Sequence, residues 1–289
     1  MHYEGTIMRP PSEANSILLQ VTVGCSHNKC TFCGSYKGER FKIKSDEIIF
    51  EDIAFAAEYC RRQRRVFLCD GDAMIIPQKR LLKILQGIET SLPWVTRVGV
   101  YANTKSIQMK TADELKELKA HGLGIAYMGL ESGDDVTLTA IKKGASADKM
   151  IRMGRKIREA GIKLSTTVLL GIAGKDRSMI HAEQTGKVLT AIDPEYVGAL
   201  SLMLVPGTSL YENYEAGDFQ LLEPDEMLME LRCMIQHTHL SMGLFHANHA
   251  SNYLPIKARI PKDKEKTLLQ IDQALAGKIA LKPEWLRAL

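Results

Sequence analysis

The sequence has no run of about eighteen apolar residues, so no segment reads as a membrane-spanning helix. It also lacks an excess of either charge: 38 Lys and Arg against 34 Asp and Glu leave +4 over 289 residues. That balance gives no footing for a nucleic-acid or membrane partner. The opening stretch MHYEGTIMRPPSEANS lacks the basic-then-apolar layout of a secretory leader, so a cytoplasmic, reducing location is expected. No internal repeat, linker or low-complexity tract is present. Aromatic residues make up only 6% of the chain and cysteines number only six. What remains, 45% hydrophobic and 25% charged residues, is the composition of an ordinary globular protein.

Half of those cysteines sit together. Residues 24–33 read GCSHNKCTFC and place Cys25, Cys30 and Cys33 on one short loop. In a reducing compartment clustered thiols hold metal more often than they form disulfides. A structural zinc ion wants four ligands, and only His27 lies close by as a fourth. A cubane iron–sulfur cluster accepts three thiolates and leaves one iron open. The cluster is the preferred reading, and zinc with His27 is the alternative. Cys60, Cys69 and Cys233 are scattered and read as small buried apolar residues.

Short apolar runs alternate with longer amphipathic ones. Strands are predicted at 16–23, 65–70, 96–101, 124–130, 162–171 and 195–205. Helices are predicted at 45–64, from Pro77 to about Thr90, from Thr111 to about Gly122, and at 134–143, 146–160 and 177–191. Thr111 with Glu114 three residues on is a capping-box signature. The basic run RRQRR (61–65) has a phosphate-binding reading, but a solvated helix end favoured by the macrodipole is preferred.

Alternating strands and helices predict an α/β fold with a parallel sheet and right-handed crossovers: a partial (β/α)6 TIM-like barrel with a helical C-terminal extension. The expected layout is a lead-in over 1–15, the barrel over 16–211 and the extension over 212–289. Barrel sites are built from the loops after the strands. Those loops carry the three cysteines, Gly71-Asp72, Asn103, Glu131-Ser132, Gly171-Ile172 and Pro206-Gly207-Thr208.

With these motifs in this order, the chain resembles the radical S-adenosylmethionine enzymes. The likeness is to relatives of the elongator, methylthiotransferase and coproporphyrinogen-oxidase type, over about 16–210. It is carried by the cysteine loop with Phe32, Gly71-Asp72, GLESGDD (129–135), LLGIAG (169–174) and VPGTSLY (205–211). One departure is the spacing. Four residues separate Cys25 from Cys30, where the family's commonest loop has three.

The resemblance implies that Cys25, Cys30 and Cys33 ligate a [4Fe-4S] cluster whose open iron chelates S-adenosylmethionine. Reductive cleavage then gives a 5′-deoxyadenosyl radical that abstracts hydrogen from an unidentified substrate. It also implies cofactor contacts from Phe32, Gly71, Asp72, Asn103, Glu131, Ser132, Lys143, Gly171, Ile172 and Val205. A small-molecule or protein-delivered substrate and an electron donor such as flavodoxin or ferredoxin complete the expectation. Its alternatives are a coproporphyrinogen-oxidase-like oxidative decarboxylation and a non-enzymatic, zinc-stabilised interaction module. With no further cysteine cluster, no basic appendage and no room for a cobalamin domain, the chain reads as a minimal catalytic core.

The extension is expected to hold helices at 223–241 and 262–276 around an irregular segment, LFHANHASNYLP (244–255). His246, His249 and Tyr253, with Asn248 and Asn252, are candidate substrate-contacting or proton-transferring groups there. The plainer reading of the same residues is loop capping.

Overall fold

The computed structural model describes residues 1–288. Two compact units are formed. One comprises Met1–Asn28, Ser35–Met128 and Lys156–Leu164; the other comprises Lys29–Gly34, Gly129–Arg155 and the chain from Ser165 onward.

The first unit holds β1 (Ile17–Gln20), β2 (Thr22–Val23), β3 (Lys42–Ile43), α1 (Asp46–Tyr59), β4 (Arg65–Cys69), α2 (Gln78–Ser91), β5 (Arg97–Tyr101), α3 (Thr104–Gln108), α4 (Ala112–Ala120) and most of β6 (Leu123–Glu131). Strands β1, β4, β5 and β6 lie side by side and pair in parallel. Their order follows the chain because each crossover helix returns the backbone to the same end of the sheet. Val66, Phe67 and Leu68 of β4 are fully buried, as are Leu81, Ile84 and Leu85 of α2. Each such side chain contributes roughly 1.5–3 kcal/mol of burial.

Local chemistry sets the helix ends. Ser45 Oγ accepts the Ile48 N–H at the start of α1, and Thr111 and Glu114 form the expected capping box on α4. The expected first strand divides at Val21. Its first part joins the parallel sheet, while β2 pairs with β3, absent from the sequence reading, as an antiparallel ribbon. Helix α1 stops at Tyr59 and has no basic residue in its last turn, so the arginine run lies beyond the helix.

The second unit adds α5 (Asp135–Ala140), the start of α6 (Ala147–Glu159), β7 (Lys163–Leu170), α7 (Gly174–Ile192), β8 (Tyr196–Ser201), α8 (Ser209–Glu215), α9 (Pro224–Gln236), β9 (Gly243–Ala247), β10 (Ile256–Ile260) and α10 (Lys264–Leu275). Strands β7, β8 and β9 are parallel and β10 runs antiparallel to β9 at the edge. The extension is therefore not purely helical. The segment read as irregular begins inside β9, and Ile256-Lys257-Ala258-Arg259-Ile260 alternates buried and exposed as a half-covered strand does.

Candidate active site

The first unit gathers polar groups at the C-terminal ends of its parallel strands. Gly71 follows β4, and a Cβ placed on it would lie 2.7 Å from the Cys25 Cβ and 3.0 Å from the Cys25 Cα. Only glycine lets the start of the cysteine loop come this close. The Gly71 N–H donates to the Gly24 carbonyl at 3.1 Å. Asp72, wholly buried, accepts from Ser26 Oγ at 2.5 Å and from Asn103 Nδ2 at 2.6 Å, both on Oδ2. Its other oxygen, Oδ1, is buried and has no hydrogen-bond partner among the described residues. Burial raises its pKa to about 6 against the pull of these donors.

Asn103 is held from its other side. Its Oδ1 accepts the Ser106 N–H at 2.9 Å, so it is the N-cap of α3, a helix too short to show a period in sequence. The Ser26–Asp72–Asn103 chain thus ties the cysteine loop to the ends of β4 and β5. Beside it, Asp70 adopts a left-handed backbone (φ 71°) and accepts from Gln20 Nε2 at 2.6 Å.

In the second unit, the later part of the cysteine loop is fixed through its backbone. The Thr31 N–H donates to the Ile141 carbonyl at 3.1 Å, and the Thr31 carbonyl accepts the Leu210 N–H at 2.9 Å. Val205 Cγ1 fills the space a Cβ on Gly34 would need. Phe32 is half-buried.

Glu131 ends β6 with φ 61° and pairs with Lys143 Nζ at 2.9 Å. Both side chains are largely buried, at 10% and 15% exposure. They fold over Gly129, where a Cβ would collide with the Glu131 carboxylate. Ser132 is fully buried, and its Oγ lies 2.8 Å from His181 Nδ1. His181 Nε2 in turn lies 3.5 Å from Glu230 Oε1. Glu230 accepts the Gly171 N–H at 2.6 Å and Ser178 Oγ at 2.5 Å.

Burial pushes both ionisable groups of this chain toward neutrality, Glu230 up to about 8 and His181 down to about 4. The network joins the loops after β6 and β7, at Ser132 and Gly171. The sequence reading missed both of its central members. The signal available was a glutamate on the apolar face of a helix, among the buried Met227, Leu231 and Met234.

Other candidates are engaged locally. Asn252 Oδ1 accepts Ser201 Oγ at 2.9 Å, and its amide donates to the Ala199 carbonyl at 2.9 Å. Tyr253 hydroxyl donates to Glu284 at 2.6 Å, and the Arg287 guanidinium stacks 4.1 Å from its ring centroid. His249 Nδ1 lies 3.0 Å from Ser251 Oγ, and half-buried His246 sits in β9 opposite Lys257. Ile172 is buried. Of the scattered cysteines only Cys69 is buried; Cys60 and Cys233 are partly exposed.

Residues 19–182, more than half of the chain, match the radical SAM superfamily. The chain belongs to the radical SAM superfamily. An uncharacterized protein of Methanocaldococcus jannaschii is 24% identical over 281 residues, covering 93% of this chain and 79% of that protein. Among solved structures, the radical S-adenosylmethionine methyltransferase TsrM from Kitasatospora setae, with cobalamin and a [4Fe-4S] cluster bound, aligns with a TM-score of 0.58. It is 19% identical over 70% of this chain and 39% of its own. Coproporphyrinogen III oxidase (HemN) from Escherichia coli aligns with a TM-score of 0.53 and 13% identity, over 76% of this chain and 50% of its own. These likenesses show the fold, the partial TIM-like barrel of radical SAM proteins, and the chain spans half or less of either structure's length.

The residues present suit the family's cofactors. No disulfide joins Cys25, Cys30 or Cys33, and all three are partly exposed. Three soft sulfur donors without a fourth cysteine nearby in sequence match a thiolate-held iron–sulfur cluster with one open corner. Among the described residues no three His, Cys, Asp or Glu side chains already form a metal-sized group. No helix among them is long and apolar enough to cross a membrane.

Proposed function

We propose that this chain is a radical SAM enzyme in which Cys25, Cys30 and Cys33 hold a [4Fe-4S] cluster that binds S-adenosylmethionine, acting on a small-molecule or protein-delivered substrate. The match over residues 19–182, which contains the three-cysteine loop, carries the reading. When bound, these cofactors supply one-electron carbon–sulfur cleavage and a hydrogen-abstracting radical, fed by an external donor of the flavodoxin or ferredoxin kind.

The chain's own residues have four tasks. Gly71 and Asp72 hold the start of the cysteine loop against β4, through contact with Cys25 and the bond from Ser26. Thr31 fixes its later part through two backbone bonds. Lys143 supplies a cation for a carboxylate ligand, and Glu131 holds it in place through the 2.9 Å contact until one arrives. Glu230, through the Gly171 N–H, sets the backbone of the turn after β7, where an adenine ring would lie.

Reconstitution with iron and sulfide under anaerobic conditions tests the proposal. About four irons per chain are expected, with 5′-deoxyadenosine released from S-adenosylmethionine on reduction with dithionite. Cys30→Ala abolishes both. One tightly held zinc and no iron, or a full cluster without product, overturns it.

A further inference from the structure

The arginine run after α1 has no part in the proposed chemistry and does not serve the helix before it. Arg62, Arg64 and Arg65 line a cleft of about 480 Å³ together with Asn15, Ser16 and Gln63. No lining residue is acidic. Arg61 is occupied elsewhere, its guanidinium 5.6 Å from the Trp94 ring centroid. Among the described residues, the side chains of Arg62, Arg64 and Arg65 have no ion-pair or hydrogen-bond partner. The nearby carboxylate of Glu13, bonded by Ser16 Oγ, is itself paired with Arg97.

Three guanidiniums with no carboxylate among the lining residues make this concavity a place of positive potential. An anion bound there gains charge-assisted, forked hydrogen bonds. The cleft is shallow and open to solvent, which suits a charged ligand that keeps part of its hydration. Several cations without a carboxylate suit a ligand bearing more than one phosphate charge.

The position separates this cleft from the candidate active site. Ser16 precedes β1 and Arg65 opens β4, whereas Asp70, Gly71 and Asp72 follow the far end of β4. Five residues of strand put the two ends about 16 Å apart. We propose that the cleft formed by Arg62, Arg64 and Arg65 is a binding site for a small molecule carrying a diphosphate group, distinct from the cofactor site at the other end of the same strands.

Calorimetric titration of the full chain with inorganic pyrophosphate, at matched ionic strength, tests this. One saturable site per chain is expected, weakened tenfold or more by Arg62→Gln with Arg64→Gln. Both residues are exposed, and a thermal melt verifies that the variant is folded. Cys30→Ala leaves the binding unchanged, which makes the result independent of the proposed enzyme function. In a parallel arm with ADP, tighter binding than pyrophosphate assigns a nucleotide as carrier, and equal binding places recognition on the phosphates alone. No saturable binding, equal binding by the arginine variant, or binding of single-stranded RNA without pyrophosphate overturns the proposal.

Discussion

Glu230 Oε1 accepts the Gly171 N–H at 2.6 Å and at the same time faces His181 Nε2 at 3.5 Å. One buried carboxyl group therefore governs both a backbone turn and a proton balance. An unfolded glutamate titrates near 4.5 and folded Glu230 near 8. Between those values the folded chain holds the extra proton, so this group's contribution to stability falls as pH rises. His181 acts oppositely, because its pKa drops from 6.5 to about 4 on folding. Its contribution rises with pH over that interval and is constant above it. From pH 6.5 to 8 the Glu230 contribution is left unopposed. Melting temperatures of Glu230→Gln, measured on apo protein, should fall less steeply than wild type over that window. Identical slopes would show that Glu230 is already ionised in the folded chain.

Gly71→Ala places a methyl 2.7 Å from the Cys25 Cβ. Overpacking of this kind costs about 1–3 kcal/mol, and here the strain falls on the loop that carries the thiols. Iron bound per chain after anaerobic reconstitution should drop several-fold, with a lowered melting temperature. Full iron loading in this variant would remove Gly71 from the account of the loop.

Removing Lys143 strands a largely buried carboxylate. Lys143→Met should destabilise the chain by about 2 kcal/mol, somewhat less than a fully dry pair because both groups keep some solvent contact. Adding Glu131→Gln should recover most of that loss, since a neutral amide needs no counter-ion. Additive losses in the double variant, measured by urea unfolding, would show that the pair is not coupled.

Asp134 caps α5 through Thr137 and receives two 2.9 Å bonds from Arg177. Burial raises its pKa, but the Arg177 and Thr137 bonds outweigh it and hold the group at about 2. Its contribution is therefore complete above the ordinary carboxylate pKa and is lost only as pH falls toward 2. Asp134→Ala should cost about 1–2 kcal/mol from the lost cap, with a smaller difference from wild type at pH 3 than at pH 7.

The parallel core was legible because apolar runs such as RVFLC (65–69) and KLSTTVLL (163–170) stand between well-capped helices. The Glu131–Lys143 ion pair was not legible, since the sequence points both residues at the cofactor and no local pattern joins a strand end to a lysine twelve positions on. Nor was helix α3, because five residues complete barely more than one turn. Its Asn103–Ser106 box reads equally well as a loop. Strands β9 and β10 were obscured by their histidines and basic residues, which sit on the half-exposed face of a strand without disturbing it. His181 and Glu230 lie on different helices, 49 residues apart in the chain, and no local pattern links them. The arginine run resembles a helix terminus in sequence because α1 ends at Tyr59 and is capped by Cys60, a residue with no strong stop signal.

The last strand has a consequence for behaviour in a crowded solution. β10 occupies one border of its sheet, with Lys257 and Arg259 pointing outward and the apolar alternates turned in. A bare border invites a stranger's backbone to continue the ladder, and two cations on five residues discourage that recruit. Ile256–Ile260 thus acts as a selvage. Trimming the chain at Ala247 would leave the backbone of β9 as the open border instead, without those two cations to guard it.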